Sequence, residues 1–136
     1  MRGYLLDTNH LSHAIRSVST LRARLRQAHR QGFRLVTCWP VLCELEEGIV
    51  FTADPAQYQR TLKTVMKEVR IWSLDWPLVE RYGAVAKLAK ERGRVLSTTD
   101  MILTGFAWNE NITLLTTDND FKAFPEIKTE NWIVET

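Results

Sequence analysis

The stretch Tyr4-Leu5-Leu6-Asp7-Thr8-Asn9 reads as a short apolar strand that stops on an acid. After it, a short helix is expected around Leu11–Ile15. A second runs over Thr20–Gln31, with Leu21, Leu25 and Ala28 on one face and Gly32 as its stop. Phe33–Cys38 is β-rich and gives a second strand. Pro40 suits the first turn of a third helix, which carries Val41, Leu42, Leu45 and Ile49. Asp54-Pro55 caps and opens the next helix, in which Tyr58, Leu62, Val65, Met66 and Val69 recur at helical spacing. Ile71–Leu74 is a third strand, Trp76–Arg92 a helix ended by Gly93, and Met101–Trp108 a helix capped by Ser97, Thr98 or Thr99. Thr113–Thr117 reads as a fourth strand and Trp132–Val134 as a fifth.

Strands therefore alternate with helices along the whole chain. That order predicts one α/β domain over residues 1–136, a three-layer α/β/α arrangement around a central, mainly parallel sheet of about four to five strands.

Against this frame, four acids fall at matching places. Asp7 and Asp118 directly follow strands, Glu44 lies one turn into the helix after strand two, and Asp100 lies in the first turn of its helix. Taken singly, each reads most simply as a cap or a surface charge. Taken together they share the side of the sheet where open α/β folds keep their ligand crevice. Two carboxylates about 4 Å apart at an effective dielectric near 20 repel by roughly 4 kcal/mol. A divalent cation removes that cost, so the pattern points to hard-metal chemistry. An acid at the end of a buried strand is also partly desolvated, which raises its pKa unless a cation or a donor compensates. Thr8, Asn9 and Thr116 are candidates to donate those hydrogen bonds or to hold metal-bound water.

Composition narrows the setting. The chain is 45% hydrophobic, and its 18 Lys and Arg against 16 Asp and Glu give a net charge of +2. This is not a strongly basic nucleic-acid binder, and any binding surface must come from local clustering. Arg16, Arg22, Arg24, Arg26, Arg30 and Arg34 concentrate early and suit either a phosphate track or a solvated helix face, as do Arg92 and Arg94. Cys38 and Cys43 lack disulfide or zinc spacing and read as buried free thiols in a reducing cytoplasm. No signal peptide is expected, and no run approaches the ~18 apolar residues of a membrane span. His10 and His13, three apart beside Asp7, suit helix packing or hydrogen bonding better than a transition-metal site. The five tryptophans suit core or interface packing better than base stacking.

The motifs carry a resemblance. Tyr4-Leu5-Leu6-Asp7-Thr8-Asn9, Glu44-Leu45 followed by Gly48, Asp100-Met101-Ile102-Leu103, and Leu115-Thr116-Thr117-Asp118-Asn119-Asp120-Phe121 resemble, in order, the four motifs of the PIN-domain nucleases. Within them they resemble the toxins of VapBC-type toxin–antitoxin pairs. The likeness covers essentially the whole chain. It departs in two places: His10 stands where an apolar residue is more usual, and Leu96–Thr99 lacks a further carboxylate that some relatives carry. The fourth motif offers both Asp118 and Asp120; Asp118 is nearer the strand end, and Asp120 suits the cap of a helix starting near Phe121.

The resemblance implies a PIN-like fold and a Mg²⁺- or Mn²⁺-dependent endoribonuclease. Asp7 and Asp100 would be direct metal ligands, with Glu44 and Asp118 binding directly or through water. Hydrolysis by metal-activated water would leave a 5′-phosphate. It further implies an RNA substrate, a cognate VapB-type antitoxin and a homodimer; the clustered Arg16, Arg22, Arg26, Arg30 and Arg34 are the candidate RNA contacts by position in the sequence alone. A haloacid-dehalogenase-type phosphatase also opens on strand-Asp, but it needs a second Asp where Asn9 stands. No Gly-rich phosphate loop or Walker lysine is present. The remaining alternative is an inert PIN-like module that binds RNA or protein without cutting.

Overall fold

The computed structural model describes residues 2–133. Strand β1 (Gly3–Leu6) is followed by helices α1 (Thr8–Ala14) and α2 (Thr20–Arg30), then β2 (Arg34–Cys38), α3 (Trp39–Ile49), α4 (Pro55–Val65) and β3 (Arg70–Trp72). The second half holds α5 (Trp76–Glu91), α6 (Thr98–Glu110), β4 (Thr113–Leu115), a 3-10 turn over Asn119–Ala123, and β5 (Thr129–Glu130).

All four strand pairings are parallel, and the sheet order is β3-β2-β1-β4-β5. Chain direction from β1 to β2 to β3 runs one way across the sheet, and from β3 to β4 it jumps back. Right-handed crossovers therefore place α1–α4 over one face and α5–α6 over the other. The central strands confirm that cover: Leu5, Leu6, Leu114 and Leu115 have no exposure at all, so successive residues are buried on both faces. On the second face α5 and α6 form a hairpin, clasped by Asn109, which accepts from Arg81 Nε at 2.8 Å and donates to the Pro77 carbonyl at 3.2 Å.

The expected stop signals act as read. Gly32 (φ 89°) and Gly93 (φ 66°) take the left-handed conformation just past α2 and α5, where a Cβ would be strained. Asp54 and Ser97 are the N-caps of α4 and α6, accepting from the N–H groups of Gln57 and Asp100. Pro55 and Pro77 occupy first-turn positions, where a missing N–H costs nothing.

The expected fifth strand is displaced. The ladder beside β4 is made by Thr129 and Glu130, not by Trp132–Val134. Trp132 instead turns inward into the core as a buried anchor, and Val134 lies outside the described residues. An apolar run at a chain end looks the same whether it pairs as a strand or packs as a plug. The thiol reading holds for Cys38, which is buried and pushed up to about 11 by desolvation, but Cys43 is exposed. Tryptophan burial also divides: Trp132 is buried, whereas Trp39 and Trp76 are more than half exposed. Among the described residues no helix is long and apolar enough to cross a membrane.

Candidate active site

β1 and β4 are neighbours, yet the chain leaves them toward opposite edges of the sheet. That divergence opens a crevice at their carboxyl ends. Asp7 sits on its rim. Its N–H still donates to the Leu115 carbonyl at 3.2 Å, which fixes the backbone in the last rung of the ladder. Its side chain caps α1, with Oδ1 accepting the His10 N–H at 2.9 Å. Thr37, buried on β2, donates its hydroxyl to the Leu6 carbonyl at 3.0 Å and fixes the residue just before it.

β4 ends at Leu115 and not at the expected Thr117, so Asp118 lies three residues past the strand rather than directly after it. Its N–H donates to Thr116 Oγ1 at 3.1 Å, and its Oδ1 accepts the Asp120 N–H at 2.8 Å. Asp100 arrives from the opposite helical layer, in the first turn of α6, where its N–H donates to Ser97 Oγ at 3.1 Å. Glu44 reaches in from α3 and accepts from Thr8 Oγ1 at 2.8 Å. Sheet and both helical layers thus each contribute acids to one open cleft of about 410 Å³, with Leu103 and Phe121 as its apolar wall.

The electrostatics follow from the crowding. Partial burial holds the Asp100 carboxyl above its ordinary range. The negative charges of Asp118, Glu44 and Asp7 push the same way, against a hydrogen bond from Ser97. All three other acids of the set are therefore close enough to be felt at Asp100. An all-oxygen, all-anionic donor set of this kind fits a hard divalent cation. Among the described residues no three Asp, Glu, His or Cys side chains already close around a single point. Mg²⁺ keeps several of its own waters and takes only one or two carboxylates directly, so an open cleft meets its demands better than a finished cage.

The supporting residues are rearranged relative to the sequence reading. Thr8 donates to an acid as expected. Asn9 donates instead to Thr117 Oγ1 at 3.1 Å, and Thr116 serves as an acceptor for the Asp118 N–H rather than as a donor to a carboxylate. Asp120 stands outside the cleft wall, 3.7 Å from the Arg94 guanidinium, and it is Asp118 that caps the 3-10 turn. Arg92 grips the far end of this segment, with a bidentate bond to Glu126 (2.5 and 3.1 Å) and one to the Ala123 carbonyl (2.8 Å).

The arginines do not form one track. Arg22 donates to the backbone carbonyls of Ala14 and Arg16, and Arg26 faces Glu68 at 3.9 Å. Arg30 ends α2 and Arg34 begins β2, which puts both at the amino-terminal end of the strands, opposite the acids. Of the five, Arg16 lines a second groove of about 300 Å³, between α1, α3 and α4, which shares Thr8, Asn9 and Glu44 with the acidic cleft.

One feature escaped the sequence reading. Glu47 also lines the cleft, one turn beyond Glu44, and the i, i+3 spacing was the available signal. The packing and hydrogen-bonding role expected for His10 holds: it is completely buried behind Asp7 with both ring nitrogens engaged, away from any surface metal pair with His13.

Comparison with known proteins agrees with this fold. A family model described as the PIN domain matches residues 4–127. Ribonuclease VapC2 of Rickettsia felis is 25% identical over 130 residues, spanning 95% of this chain and 97% of that protein. The crystal structure of VapBC2 from Rickettsia felis, bound to a DNA fragment from its promoter, superposes with a TM-score of 0.85 at 24% identity over 96% of this chain and 98% of that one. DNA-bound VapBC from Salmonella typhimurium gives 0.83 at 19% identity, over 98% and 100%.

Proposed function

The chain belongs to the PIN-domain family, and from that premise we propose that it is a divalent-metal-dependent endoribonuclease, the toxin of a VapBC-type toxin–antitoxin pair. The observation that carries this reading is the convergence of Asp7, Glu44, Asp100 and Asp118 on one cleft, close enough that the other three raise the Asp100 carboxyl. The likeness to a ribonuclease of the VapC type supports the substrate class.

Asp7 and Asp100 would hold Mg²⁺ or Mn²⁺ directly, and Glu44 and Asp118 would hold it directly or through water. Such an ion would supply acidification of a water and charge neutralisation at the scissile phosphate. The chain's own contribution is placement. Thr8 keeps Glu44 aimed, the Asp118 cap fixes the 3-10 turn, and the adjoining groove presents Arg16 to a phosphate of the strand being cut. In-line hydrolysis leaves a 5′-phosphate.

The likeness to VapBC structures supports a VapB-type antitoxin as partner. A cytoplasmic homodimer as the working form belongs to the same proposal. The test is incubation of antitoxin-free protein with total cellular RNA in Mg²⁺, Mn²⁺ or EDTA. Discrete products in either metal and none in EDTA are expected. Cleavage that persists in EDTA contradicts the reading.

A further inference from the structure

Behind Asp7 lies a hydrogen-bonded relay that reaches the end of the described chain. The Trp132 backbone N–H points at His10 Nε2, 3.1 Å away, and His10 Nδ1 lies 3.2 Å from Asp7 Oδ1. A backbone N–H can only donate, so Nε2 is the acceptor and the ring proton sits on Nδ1, aimed at the carboxylate. His10 has no exposure and Trp132 only 5%, so no water competes for either bond. Trp132 is itself held on three sides. Its ring lies 4.5 Å from that of Tyr4 and 4.0 Å beneath the Arg24 guanidinium, and its indole N–H donates to Glu130 at 2.9 Å.

The consequence falls on one oxygen. Asp7 Oδ1 accepts from both the His10 N–H and the His10 ring, while Oδ2 takes no hydrogen bond from any described residue. The carboxylate plane is therefore set from behind, with Oδ2 left for the cleft. We infer that His10 is a positioning residue for Asp7: held in one tautomer by the Trp132 backbone, its ring fixes the carboxylate in the orientation that receives the metal. This rests on the metal-dependent reading of the cleft. Any residue at position 10 supplies the backbone N–H of the α1 cap, but only a side-chain donor at the Nδ1 position supplies the second bond.

The test separates the two ends of the ring. His10→Asn places an amide nitrogen near the Nδ1 position and keeps a donor to Asp7, but loses the acceptor for Trp132. His10→Gln reaches the Nε2 position and keeps that acceptor, but loses the donor to Asp7. His10→Leu removes both. Mn²⁺ is titrated calorimetrically into each protein and the wild type, with Asp7→Asn as reference and near-ultraviolet dichroism to verify folding. Outer hydrogen-bond partners of metal ligands are worth tenfold to a hundredfold in metal affinity, so His10→Gln is expected to bind Mn²⁺ about 10–100 times more weakly than wild type. His10→Asn is expected to retain most of the affinity, and cleavage rates at limiting Mn²⁺ are expected to follow the same order. Equal Mn²⁺ affinity for the Asn and Gln variants, or a Gln variant that binds better, overturns the inference in favour of simple tail docking. Failure of the wild type to bind Mn²⁺ overturns the metal reading beneath it, and is visible without any variant.

Discussion

Thr8 Oγ1 donates to Glu44 Oε1 at 2.8 Å, joining the residue after the first acid to the second acid across 36 positions of sequence. The bond crosses from α1 to α3 at the mouth of the cleft and fixes the direction from which Glu44 enters. It is solvent-exposed, so its removal costs little folding energy, about 0.5–1.5 kcal/mol at most. Its effect falls on geometry. Thr8→Val, which keeps the shape and removes the hydroxyl, is expected to lower the rate of RNA cleavage about 3–10-fold while leaving Tm within a few degrees of wild type. Parallel cleavage assays and thermal unfolding check this.

Asp118 and Asp120 are expected to behave differently. Asn accepts an N–H at a helix start nearly as well as Asp does, so Asp118→Asn retains the cap on the 3-10 turn while removing a charge from the cleft. Cleavage is expected to fall at least about 100-fold with the fold intact. Asp120→Asn loses only an exposed ion pair with Arg94, worth about 0–1 kcal/mol, and is expected to cleave within about threefold of wild type. Comparable losses in both variants contradict the assignment.

The Asp100 carboxyl is held above its ordinary range, chiefly by burial and then by the neighbouring acids. A raised carboxyl binds its proton more tightly in the folded than in the unfolded chain, so stability contributed by that proton is lost as pH rises through the shifted value. At neutral pH without metal, ionised Asp100 therefore opposes folding. Asp100→Asn is expected to raise the Tm of the metal-free protein by about 2–4 °C and to abolish cleavage. Millimolar Mg²⁺ is expected to raise the Tm of wild type more than that of the variant. Thermal unfolding in EDTA and in Mg²⁺ measures both effects.

The cysteines give a check on the core. Burial pushes the Cys38 thiol up to about 11, which leaves roughly one thousandth of it as thiolate at pH 8. Cys43 is exposed. A thiol reagent at pH 8 is expected to modify one cysteine per folded chain, Cys43, and both in denaturant. Mass spectrometry of the modified peptides identifies the site.

The fold was legible because its signals are local. Apolar strand runs, Gly32 and Gly93 as stops, and Asp54, Ser97 and proline as starts all act through the residue's own backbone. Asp7, Asp100 and Asp118 were legible for the same reason, since each sits at or beside an element start that the pattern marks, whereas Glu44 lies in the middle of α3 and was legible through its motif. What the sequence hid depends on long-range pairing. That Asp120 faces Arg94 and Arg22 turns back to the Ala14 carbonyl cannot be read from spacing. Nor can the link from Trp132 to His10, 122 residues away, which turned an expected strand into an anchor.

Metal-dependent RNA cleavage as proposed requires these carboxylates to act together. It is tested most directly by single-turnover cleavage of one RNA by wild type and Asp7→Asn at equal Mg²⁺. Asn can still cap α1 and changes little but the charge. The variant is expected to fold, to bind RNA, and to cleave at least about 100-fold more slowly than wild type. A folded Asp7→Asn protein that cleaves at the wild-type rate contradicts the joint role of the acids.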